Sequence, residues 1–150
     1  MKIAIATDHG GFKLKESLAK FLKNQGHNVK DFGVFSNESS DYPIVGYELS
    51  KAVGDRRYTR GILICKTGIG MSIVANKVKG VRAALCDRQD VARSSRLHND
   101  ANILVLAANI VSEAKAKKLI SIWLSTRALG GRHKRRVNQI KRIESVSEER

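Results

Sequence analysis

A length of 150 residues gives room for one domain and no second core. With 42% apolar residues the chain can bury a sizeable core, which argues against disorder, and no apolar run approaches the ~18–20 residues needed to span a membrane. The net charge of +14 suits nucleic acid or small anions alike, but scarce aromatics offer no stacking platform and no zinc-ligand spacing accompanies the charge.

The N-terminus opens straight into Lys2-Ile3-Ala4-Ile5-Ala6, which reads as a buried strand rather than a signal peptide and points to the cytoplasm. Gly10-Gly11 punctuates it, and Phe12, Leu14, Leu18, Phe21 and Leu22 then recur at helical spacing. Gly26 stops that helix, and a weaker strand follows at 29–32. Residues 33–43 form the clearest loop, closed by the only proline, Pro43, before a helix at 44–53. Further strands are expected at 61–65, 81–85 and 102–106. A long helix at 113–126 is expected to turn Ala114, Leu119, Ile122 and Trp123 inward, with Gly130-Gly131 as its stop. A last basic helix at 134–143 carries Val137, Ile140 and Ile143 on one face, and a frayed tail occupies 144–150. This alternation predicts a three-layer α/β/α, Rossmann-like domain with a doubly wound parallel sheet of five strands.

Sites in such sheets collect at the carboxyl ends of strands. The first strand delivers Thr7-Asp8-His9-Gly10-Gly11, the third Cys65-Lys66-Thr67-Gly68-Ile69-Gly70-Met71-Ser72, and the fifth Ala107-Ala108-Asn109. Gly68-Ile69-Gly70 follows a strand and opens a helix, but neither the full dinucleotide fingerprint nor a P-loop is present, so a cofactor loop is not expected. An oxyanion cradle is the alternative, and Cys65 would sit beside its positive helix start, where a thiolate is favoured. Cys65 and Cys86 have no disulfide or metal spacing, and Cys86, in the apolar run 81–86, reads as a small buried hydrophobe.

The histidines carry little weight singly. His9 follows Asp8 at a strand end, where both could grip a sugar, whereas His27 reads as solvated surface. His98-Asn99-Asp100 is a polar cluster before an apolar strand, as readily a helix cap and turn as a site. Arg132 and Arg136 lie four apart and share a helix face, so both can point at one phosphate, although a solvated basic helix is the commoner arrangement.

Taken in order, these segments resemble the ribose-5-phosphate isomerase B family, whose relatives include allose- and galactose-6-phosphate isomerases. The matching stretches run from Thr7-Asp8-His9-Gly10-Gly11-Phe12 through Ser40-Asp41-Tyr42-Pro43 and Cys65 with Thr67 to Ser72. They continue with Arg96-Leu97-His98-Asn99-Asp100 and Gly130-Gly131-Arg132-His133 with Arg136. The resemblance implies a cofactor-free, metal-free interconversion of ribose 5-phosphate and ribulose 5-phosphate through an enediolate, in the non-oxidative branch of the pentose phosphate pathway.

Carried over by position, Cys65 is the base, and Thr67 with the N–H groups of Gly68, Ile69, Gly70, Met71 and Ser72 holds the enediolate oxygens. His98 assists ring opening, and Asp8 positions the sugar. His9, Arg132 and Arg136 bind phosphate, while Tyr42 and Asn99 line the pocket. Because His98 precedes a strand that runs parallel to the Cys65 strand, it falls on the opposite sheet edge. A homodimer with composite sites unites the two, as the resemblance also implies; whether dimers pair into tetramers stays open. Two residues depart from the pattern: Lys66 stands where the family usually has glycine, and Asn109 where many members carry arginine near the sugar. The competing readings are a six-carbon sugar phosphate as substrate, a sugar-phosphate sensor without activity, and, from another class, nucleic-acid binding through the basic helix.

Overall fold

The computed structural model describes residues 1–148. Strand β1 (Lys2–Thr7) leads through a short 3-10 turn (His9–Gly11) into helix α1 (Phe12–Asn24), followed by β2 (Asn28–Asp31) and α2 (Tyr42–Gly54). Then come β3 (Arg60–Cys65), α3 (Ile69–Asn76), β4 (Ala83–Leu85), α4 (Gln89–Asn99), β5 (Ile103–Ala107), α5 (Glu113–Ser125) and α6 (Arg132–Glu148). All pairings are parallel, and the five-stranded sheet has the order β2-β1-β3-β5-β4.

Side chains alternate across the strands, so each central strand feeds two cores. Ile3, Ile5, Ile62, Ile64, Leu104 and Leu106 face α1, α4 and α5, where Leu18, Leu22, Ala92, Leu119 and Trp123 pack on them. Ala4, Ala6, Leu63, Cys65, Ile103 and Val105 face α2 and α3, against Leu49, Val53, Met71 and Ala75. The same alternation aims Cys65 at the α2–α3 side. A fully buried Lys15 pins the chain after β2: its Nζ donates to the Val34 carbonyl at 2.7 Å and pairs with Asp31 at 2.7 Å.

The α/β fold is the one expected, and several boundaries differ for local reasons. Pro43 lies in the first turn of α2 rather than closing the loop, because that position needs no N–H donor. On α5, Leu119 and Trp123 are buried and Ile122 packs partly buried on the same core, as expected, but Ala114 faces solvent, and Ala116 and Ile120 complete the inner face. That helix ends at Ser125, before Gly130-Gly131, with Thr126 extended as its C-cap. Helix α6 continues through 144–148, which were expected to fray, while 149–150 lie outside the described residues. Only Val137 of its expected apolar face is buried; Ile140 and Ile143 stand exposed.

Candidate active site

The strand order reverses direction at β1, with β2 on one side and β3 on the other. The carboxyl ends of β1 and β3 therefore flank the crevice where such sheets bind ligands. Thr7 is in register with Ile64, so the following residues, Asp8 and Cys65, emerge side by side. Cys65 is 5% exposed, and its Sγ accepts a hydrogen bond from the Gly68 N–H at 3.1 Å. Gly68 makes this possible by taking the left-handed conformation at φ +75°, where an added Cβ would also collide with Leu85.

Helix α3 starts beside the sulfur, and most of its leading N–H groups are engaged. Ile69 N–H donates to Thr67 Oγ1 at 3.3 Å, and Ser72 N–H to the Gly68 carbonyl at 3.0 Å. With Gly68 N–H on the sulfur, the backbone donors left without a partner among the described residues are those of Gly70 and Met71. The cradle expected over Gly68 to Ser72 thus narrows to two open donors. The Met71 side chain is buried in the core, while Ile69 is exposed. The Tyr42 ring lies against Gly70, where an added Cβ would stand 2.7 Å from Cζ, so glycine is required for this contact.

Asp8 caps the 3-10 turn, its Oδ1 accepting from Gly10 N–H at 2.9 Å. His9 is tied to Ser40 twice: its N–H donates to Ser40 Oγ, and its Nδ1 accepts from Ser40 N–H, both at 3.2 Å. With Nδ1 accepting, the ring proton belongs on Nε2, which leaves a donor for a ligand. Nothing in the spacing of its Ser-rich loop singled out Ser40 as the partner of His9. Asn109 is exposed on the neighbouring loop, its N–H donating to the Lys66 carbonyl at 3.0 Å.

The remaining expected residues lie elsewhere. His98 and Asn99 end α4 just before β5 begins, so they sit at the edge opposite Cys65, separated by the length of β5, about 13 Å at ~3.3 Å per residue. Asp100 closes that helix with φ 48°. Its carboxylate is clamped by Arg96 at 2.8 Å and Arg82 at 3.2 Å, neither of which sequence spacing distinguished from surface charge. The cap-and-turn reading thus holds for Asp100, while His98 and Asn99 remain exposed. The start of α6 meets this group: His133 stacks on His98 with ring centroids 4.4 Å apart. Desolvation, then the charges of His98, Arg132 and Arg136, holds the His133 pKa below its ordinary value. Arg132 and Arg136 are exposed alongside.

The expected site residues of one chain therefore fall into two separate groups. Asp8, His9, Tyr42, Cys65, Thr67, Asn109 and the α3 start share one edge; His98, Asn99, Arg132 and Arg136 share the other. His27 belongs to neither and contacts the N-terminal amine at 3.1 Å.

Residues 3–140 match the model of the Ribose/Galactose Isomerase family. Ribose-5-phosphate isomerase B of Escherichia coli (strain K12) is 42% identical over 143 residues, covering 95% of this chain and 96% of that one. The solved ribose-5-phosphate isomerase B of Clostridium thermocellum is 49% identical, with a TM-score of 0.96 over 98% of this chain and 99% of that one. The Thermotoga maritima enzyme superposes with a TM-score of 0.91 at 45% identity, covering 94% and 97% of the two chains. The ordered motifs, the sheet topology and these similarities agree, and the chain belongs to the ribose/galactose isomerase family.

Proposed function

We propose that the protein interconverts ribose 5-phosphate and ribulose 5-phosphate by proton transfer through an enediolate, without a cofactor, with Cys65 as the base. The observation that carries this is the placement of Cys65 Sγ at the switch point, next to the two open N–H groups of Gly70 and Met71. The Cys65 thiolate removes the proton from C2 of the open-chain aldose. The electron pair forms the C1–C2 double bond, and charge moves onto the C1 oxygen, which the open donors stabilise. The C2 hydroxyl passes its proton to the C1 oxygen and becomes the carbonyl, and the electron pair returns through the double bond to C1. C1 takes the proton from Cys65, which restores the thiolate. Thr67 Oγ1 and Asp8 flank the reacting carbons, and His9 with Tyr42 borders the phosphate end.

The second group, as a half-site, supports a homodimer. His98 and Asn99 are exposed beside Arg132 and Arg136 but lie at the wrong edge for their own Cys65. A second copy brings its His98 to the sugar ring oxygen for ring opening and its arginines to the phosphate. Ribose-5-phosphate turnover by the purified protein, with loss of about 10²-fold or more in Cys65→Ser, tests the assignment. Full activity in the serine variant removes Cys65 from the chemistry.

Asn109 favours one rival substrate class. It places a neutral amide on the loop where the resemblance has an arginine, so a six-carbon sugar phosphate is the second reading. Comparing kcat/KM on pentose and hexose phosphates separates the two.

A further inference from the structure

We propose that Lys66 is a ligand for the phosphate group of the substrate, reaching it across Gly10; this rests on the sugar-phosphate reading above. The backbone sets the direction. The carbonyls of Cys65 and Lys66 accept from Ala108 N–H at 2.9 Å and Asn109 N–H at 3.0 Å; both face the β5 side, where a regular strand would send only one, so the strand ends at Cys65 and the chain bends at Lys66. At that bend the Lys66 side chain lies against the turn His9–Gly11, over Gly10.

Its aliphatic stem lies along Gly10. A Cβ built there would collide with Lys66 Cγ and stand 3.1 Å from Cε and 3.2 Å from Cδ. Gly10 therefore provides a bare strip of backbone on which the methylene chain rests, which lowers the entropy cost of ordering a long side chain. The ammonium, one bond beyond Cε, therefore lies close to Gly10, in the turn that carries His9.

No carboxylate among the described residues pairs with it. Lys15, Lys51 and Lys117, by contrast, have carboxylate partners: Asp31 and Glu16, Asp55, and Glu113 respectively. The nearest acid along the loops, Asp8, instead accepts from Gly10 N–H. His9, with Nδ1 accepting from Ser40, presents Nε2–H from the adjoining residue. An unmatched ammonium and an imidazole N–H at one turn suit the oxygens of a phosphate dianion.

The test compares wild type with Lys66→Met, which keeps the stem, and Lys66→Arg, which keeps the charge. It reads kcat and KM on ribose 5-phosphate, inhibition by inorganic phosphate, and the pH profile of Cys65 alkylation. The expected result is a rise of about tenfold or more in KM and in the phosphate inhibition constant for Lys66→Met. The kcat should stay within about twofold, the alkylation profile should not move, and Lys66→Arg should recover most of the loss. Unchanged KM and phosphate inhibition in Lys66→Met overturn the proposal. So does a loss confined to kcat with the alkylation profile displaced to higher pH, which would make Lys66 an electrostatic partner of the thiol. If wild type does not turn over ribose 5-phosphate, the sugar assignment fails separately. Protection of Cys65 from alkylation by inorganic phosphate, lost in Lys66→Met, still supports the phosphate site, and equal protection in both still sinks it.

Discussion

The Cys65 sulfur and the Gly68 amide stand 3.1 Å apart, and this bond joins the end of β3 to the start of α3. It fixes the side chain at the mouth of the switch point while the next donors in line, Gly70 and Met71, stay open. The left-handed Gly68 is the part of this arrangement that no other residue type supplies cheaply.

Gly68→Ala should therefore damage both stability and activity. A non-glycine residue in this conformation costs about 1–2 kcal/mol, and its Cβ would also have to displace Leu85. Thermal unfolding should show that loss, and kcat should fall by about tenfold or more as the sulfur loses its fixed position. Wild-type kcat in a folded Gly68→Ala protein would show that the loop geometry is not needed.

The two thiols should react unequally. Cys86 is 1% exposed, and burial pushes its pKa up to about 11, against a smaller opposing hydrogen bond from Ser95. It stays protonated until the pH nears that value, so at pH about 8 it offers almost no thiolate. Iodoacetamide labelling followed by peptide mass analysis should place the modification on Cys65, and substrate should slow it. Preferential labelling of Cys86 would contradict this.

Asp100→Ala should act on the distant half-site. Removing the carboxylate leaves the buried Arg96 and the half-buried Arg82 without their shared anion, although both keep backbone carbonyl partners. A loss of about 1–3 kcal/mol is expected in chemical denaturation. Because the same turn presents His98 and Asn99, kcat should drop more than KM rises. A stability loss with unaltered kinetics would make Asp100 a purely structural cap.

Much of this arrangement was legible before any coordinates. The strand–helix alternation gave the sheet, and the strand-end rule picked out Asp8, His9 and Cys65, because both signals are local and periodic. The opposite-edge position of His98 also followed from its place before β5. What local pattern does not carry is partnership between distant segments. Ser40 is a neutral loop residue until the fold brings it to His9, and Lys15 looks like one more solvated lysine until Asp31 and Val34 close over it. Likewise, Gly68 N–H looked like part of the anion cradle, and only the turn geometry shows it spent on the sulfur. On α5 only Ala114 departs from the expected inner face, because Ala114 and Ala116 are indistinguishable to a hydrophobic pattern.

The most direct measurement mixes two inactive proteins, Cys65→Ala and His98→Ala, under conditions where subunits exchange. With sites built from two copies, a mixed dimer holds one site with both residues intact and one with neither. Random exchange of equal amounts makes half the dimers mixed, so ribose-5-phosphate isomerase activity should return to about a quarter of wild type. Demonstrated exchange with no returning activity would contradict a Cys65 proton shuttle served by the His98 of a second copy.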